Sequence, residues 1–110
     1  MYSRFFNEEC SGFERNGYYN LMFLKGQQEL ANLKLRTQRY LLLNEVYEML
    51  GMKPTKAGAV VGWLYDEKNP TGDNYVDFGI QDIVDQQILL DFNVDGYILD
   101  GVVSRKPMEA

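Results

Sequence analysis

A chain of 110 residues with 45% hydrophobic and 14% aromatic side chains is sized for one folded domain and is too apolar for a disordered segment. It has no histidine, which excludes Ser-His and Cys-His triads and the usual zinc sites, and its single cysteine, Cys10, excludes an intrachain disulfide. The net charge of −5 is unevenly spread: residues 1–65 carry eight basic and six acidic groups, and residues 66–100 carry one lysine against nine carboxylates. Such an acidic stretch repels a phosphate backbone and attracts cations or a basic partner surface.

In chain order, residues 1–17 show no lasting period and read as an N-terminal arm that packs through Phe5, Phe6 or Phe13. Residues 18–110 read as a single α+β domain. Arg4, Glu8, Glu9 and Arg15 leave no apolar stretch for a signal peptide. Apolar runs such as Leu41 to Leu43 and Ile88 to Leu90 are far below the roughly 20 residues that cross a bilayer. From Tyr18, the positions Leu21, Leu24, Gln28, Ala31 and Leu35 alternate spacings of three and four and predict a helix to about Thr37 or Gln38. Gly26 costs that helix about 1 kcal/mol unless something packs closely on it. A long helix with an apolar stripe in so small a domain predicts a protein partner or a homo-oligomer, with Leu21, Leu24, Ala31 and Leu35 as the contact and Tyr18 and Tyr19 beside it.

Leu43, Val46, Tyr47 and Leu50 share the face of a second helix, Gly51 suits its C-terminal cap and Pro54 stops continuation. Thr55 is placed to cap a short third helix through Lys56, Ala57, Gly58, Ala59, Val60 and Val61. The pair loosely imitates a helix-turn-helix. The would-be recognition helix offers only Lys56 before small and apolar residues, so nucleic acid is not expected as a partner.

The period then shortens toward two. Val61, Trp63 and Tyr65 read as one strand, and Val76, Phe78 and Ile80 as another beyond a loop of turn formers from Asp66 to Asn74. Gln81 to Gln87 reads as a polar connector with about one helical turn. Ile88 to Val94 and Tyr97 to Val103 read as two further strands around Asp95-Gly96. The expected fold is α+β: a long N-terminal helix, two short helices and a small, mainly antiparallel sheet of about four strands.

The run Asp91-Phe92-Asn93-Val94-Asp95-Gly96 fits two structures. As a calcium loop it places Asp91, Asn93 and Asp95 at the first three ligand positions and Gly96 at the turn, but Val102 stands where a bidentate acid is needed, with Asp100 two residues early. As a hairpin, Asp95-Gly96 is a favoured type I′ pair and sets Val94 against Tyr97, Phe92 against Leu99 and Leu90 against Gly101 on one apolar face. The hairpin is the better fit. A cation held by Asp91, Asn93, Asp95 and Asp100 is the alternative.

Catalytic signals are sparse. Cys10 lies beside Glu8 and Glu9, which disfavour a thiolate. Carboxylates such as Asp66 and Asp77 are placed to approach each other across the first strand pair, and solvated acids on a sheet are the commoner reading. No glycine-rich phosphate loop is present.

Five blocks occur in one order: Tyr19 to Leu24, Leu43 to Gly51, Thr55 to Gly58, Val61 to Trp63, and Asp91 to Gly96. Together they resemble the soluble C-terminal part of an uncharacterised family encoded by phages and prophages of gut Firmicutes. Members of that family often begin with a hydrophobic, glycine- and alanine-rich segment that looks membrane-associated, and none is present here. The resemblance implies phage origin, a bacterial cytoplasmic or phage-associated location, and membrane contact only through that missing segment. It implies no catalytic residues. The expected role is a non-enzymatic structural or protein-interaction module, with a calcium-binding module as the alternative.

Overall fold

Asn16 starts the long helix by accepting the Tyr19 N–H on its Oδ1 at 3.0 Å, an N-cap that satisfies one of the helix's orphan donors. The computed structural model describes residues 2–84 and 86–104. Met1, Asp85 and residues 105–110, which belong to the expected arm, connector and domain, lie outside them.

The elements in order are β1 (Ser3–Phe6), α1 (Gly17–Gln38), β2 (Tyr40–Leu42), α2 (Leu43–Leu50), a 3₁₀ turn (Ala57–Ala59), β3 (Val61–Leu64), β4 (Ile80–Val84), β5 (Gln87–Asp91), β6 (Gly96–Tyr97) and α3 (Leu99–Ser104). The α+β class holds. The sheet differs from expectation: the described residues form two antiparallel three-stranded sheets, ordered β1-β5-β4 and β2-β3-β6.

Helix α1 runs as the spacing predicts and ends at Arg39, which takes a left-handed conformation (φ 76°) and returns its N–H to the Leu35 carbonyl. Helix α2 also matches expectation, with Gly51 at φ 77° closing it in the conformation glycine adopts most readily. At its start, Glu45 Oε2 accepts the Leu42 N–H at 2.8 Å, and Oε1 pairs with Lys34 Nζ of α1 at 3.3 Å. Thr55 Oγ1 accepts the Gly58 N–H at 2.9 Å, so the predicted cap is present, although the turn that it starts is 3₁₀ and spans three residues.

Three sequence expectations are corrected. Residues 3–6, inside the expected arm, form β1 and pair with β5 from Ser3–Asp91 to Phe6–Ile88. The expected connector Gln81 to Gln87 lies largely within β4 and β5, where Val84 pairs with Gln87. The Asp95-Gly96 hairpin does not form. A type I′ turn needs positive φ at both central residues, and of these two only Gly96 has it (φ 127°). Gly96 and Tyr97 pair instead with Gly62 and Val61 of β3, and Leu99 begins a helix.

The core joins both sheets to the helices. Phe6, Leu24, Ala31, Leu35, Leu41, Leu43, Val46, Leu50, Trp63, Phe78 and Leu90 are fully buried, and Phe92 meets Tyr47 and Phe78 edge-on. Gly62 lets β3 approach β2: a Cβ there would lie 2.0 Å from the Leu41 carbonyl oxygen.

Candidate interaction surface

The acidic run becomes the crossing between the two sheets. Asp91 ends β5 and its Oδ1 accepts the Ser3 hydroxyl at 3.0 Å. Phe92 enters the core. Asn93 uses all four of its amide positions: Oδ1 accepts the Trp63 Nε1–H at 2.8 Å and the Asp77 N–H at 2.7 Å, and Nδ2 donates to Asp73 Oδ2 and the Tyr75 carbonyl, each at 3.0 Å. Asp95 then ties to β3, donating its N–H to the Gly62 carbonyl at 2.7 Å and accepting the Leu64 N–H on Oδ2 at 2.8 Å.

Asp91, Asn93 and Asp95, named as cation ligands, therefore serve separate structural contacts. Asn93 has no lone pair left for an ion, and Asp100 sits in the first turn of α3. Among the described residues, no group of three or more acidic or cysteine side chains is placed to hold a metal. Burial pushes the Asp95 carboxyl above its ordinary range, opposed by backbone hydrogen bonds from Leu64 and Asp73 and reinforced by the Asp73 charge. Gly72 covers this carboxylate closely, since a Cβ there would sit 2.0 Å from Asp95 Oδ1.

The other chemical candidates are also held locally. Asp66 Oδ1 accepts the Lys68 and Asn69 N–H groups, and Asp77 Oδ1 accepts that of Gly79. Cys10 is buried, with Sγ 3.9 Å from the Phe5 carbonyl oxygen. Tyr47 lies under the Arg4 guanidinium, 4.6 Å from its ring centroid, and burial pushes its phenol upward against that neighbouring positive charge.

Sequence reasoning missed the amides that hold the irregular segment 75–79. The strand expected over Val76, Phe78 and Ile80 begins only at Ile80; Val76 and Phe78 are buried, but their backbone is irregular and meets no strand on the α1 side. Asn32 Oδ1 accepts the Val76 N–H at 2.7 Å, its Nδ2 donates to the Val76 carbonyl at 2.9 Å, and Gln28 Oε1 accepts the Phe78 N–H at 2.8 Å. The available signal was the position of two amides beside the apolar stripe of α1, where a purely packing face would carry aliphatic side chains.

That stripe is inside the molecule. Leu24, Ala31 and Leu35 are fully buried and Leu21 is half-buried, so the contact expected between copies is met by the chain's own core. The opposite face of α1 carries a second apolar row. Tyr19, Met22, Leu30 and Leu33 recur at helical spacing with Gly26 among them, and Leu30 and Leu33 are 52% and 55% exposed. Beside them Gln27, Leu30, Leu33, Lys34, Thr37 and Gln38 of α1 and Met49 of α2 line a shallow, mainly apolar groove of about 530 Å³. A helix apolar on two opposite faces is one that expects cover on both.

No described helix is long and apolar enough to cross a membrane. The chain belongs to DUF6353, a family of unknown function whose sequence pattern matches residues 1–102. No curated protein and no solved structure matches it.

Proposed function

We propose that this protein is a non-enzymatic protein-interaction module, of the phage or prophage origin that its sequence blocks imply, and that it docks a partner on the outer face of α1. The observation that supports this reading is the exposed row Tyr19, Met22, Leu30 and Leu33 on a helix whose other face is already buried in the core. Keeping several large apolar groups together in water is unfavourable unless a partner covers them. The carboxylates and the cysteine serve turns, strand ends and packing, which accords with binding rather than bond-making.

The test is capture from lysogenic or phage-infected cells with wild-type protein and with the Leu30→Glu/Leu33→Glu variant. Both side chains are exposed, so the variant should keep its melting temperature while losing the captured species. Equal capture by both proteins would overturn the assignment of this face.

A further inference from the structure

The face of α1 is self-complementary, and we infer that its partner is a second copy of this chain laid antiparallel along the same helix. This inference rests on the reading of the face as a docking surface. Turned end for end about a two-fold axis near Gln27 and Gln28, the row matches itself. Tyr19 falls opposite Thr37, Met22 opposite Leu33 and Gly26 opposite Leu30 of the second copy. Isologous contacts of this kind are the commonest route to a closed dimer.

Charge fits the same register. Antiparallel helices bring equivalent flanks together, and the flank of this row carries Tyr18, Lys25, Glu29 and Arg36, all exposed. Lys25 then lies beside Glu29 of the second copy, twice by symmetry, and Arg36 reaches the Tyr18 ring of the second copy. A parallel pair would set Lys25 against the Gln27 and Lys34 flank, which offers no acid. Neither Lys25 nor Glu29 has an ion-pair partner among the described residues. Gly26 sits mid-row, and a Cβ there would meet nothing within 4 Å. Its small size has no reason inside the monomer and gains one when a second helix crosses it.

The 22-residue helix presents a face about 33 Å long and roughly 10 Å wide, well short of the approximately 800 Å² per partner of a stable complex. The dimer is therefore weak, reversible and concentration-dependent.

Sedimentation equilibrium of the full chain tests the inference. Wild-type protein should show a monomer–dimer equilibrium that Leu33→Glu removes. Lys25→Glu alone and Glu29→Lys alone should each weaken self-association by about tenfold or more, and their equimolar mixture should restore it as a heterodimer. Unchanged thermal melts of the dilute variants would show that each remains folded. Wild-type protein that stays strictly monomeric at high concentration overturns the second copy. The docking reading would then stand or fall separately on the capture difference for Leu30→Glu/Leu33→Glu. A dimer indifferent to the charge changes, or a mixture no better than either variant alone, overturns the antiparallel register.

Discussion

The indole Nε1–H of Trp63 donates to Oδ1 of Asn93 at 2.8 Å, linking β3 of one sheet to the strand exit of the other. Trp63 is fully buried, so no water replaces that bond when it is lost. Asn93 is thus the joint of the domain.

Asn93→Ala leaves the Trp63 indole and the Asp77 N–H without acceptors and should destabilise the fold by about 2–6 kcal/mol, from roughly 1–3 per orphaned donor. Asn93→Asp keeps both acceptor contacts but loses both donors and sets a carboxylate against Asp73. It should be weaker at neutral pH and partly recover on acidification. Urea unfolding followed by Trp63 fluorescence measures both, and an Asn93→Ala loss within about 0.5 kcal/mol of zero would place the residue among ordinary surface positions.

Two glycines should respond in opposite directions. Gly62→Ala drives a Cβ into the Leu41 backbone and should prevent recovery of folded protein. Gly26→Ala fills open space in a helix interior and should stabilise the dilute chain by about 0.5–1 kcal/mol. Thermal melts and soluble yield check the pair, and a folded, unaffected Gly62→Ala variant would contradict the β2–β3 approach.

The raised Asp95 carboxyl carries a sign. Its proton is held more tightly in the folded state than in the unfolded chain, so the folded state loses stability as pH rises through the ordinary carboxylate range and the elevated folded value. Asp95→Asn can still accept the Leu64 N–H and has no charge to desolvate. The melting temperature of the variant minus that of wild type should be near zero in acid and grow positive toward neutrality. A flat or falling difference would reject the burial account.

Calcium at millimolar concentration should leave the melting temperature unchanged in wild-type protein and in Asp91→Asn. Binding to the folded state alone raises stability by RT ln(1 + c/Kd) at free calcium concentration c, so a bound ion would lift the melting temperature further with each increase in calcium above Kd. Chelation through Asn93 first requires breaking its contacts to Trp63 and Asp77. A rise of several degrees that Asp91→Asn abolishes would restore the cation reading.

Much of the helical fold was legible in the residues. The three-and-four spacing from Leu21 to Leu35, the face Leu43, Val46, Tyr47 and Leu50, the Gly51 cap and the Thr55 cap all depend on neighbours within a turn or two. The alternation after Val61 and the run from Ile88 also announced β3 and β5, but the sheet pairings were not legible, because their partners are remote. Tyr40 to Leu42 is too short to show a period, and Ser3 to Phe6 becomes a strand only when β5 arrives beside it. Asp95-Gly96 misled because its local turn preference is outweighed by a distant partner in Gly62. The α1 stripe was correctly seen as apolar, but periodicity alone says that a face is covered, not by what. The outer row of Leu30 and Leu33 became visible only once the inner one was assigned to the core.

The pairing of Ser3 with Asp91 and of Phe6 with Ile88 has a consequence for biosynthesis. Residues 3–6 find their strand partners some eighty positions later, a distant ring to close against chain entropy. While the ribosome is still translating the middle of the chain, α1 and α2 can coil and Phe6 can meet the rings of Phe13 and Phe23, but the β1 backbone has no strand to pair with. The nascent polypeptide therefore carries an unsatisfied edge until its last third emerges, the interval in which such chains are most exposed to misassociation.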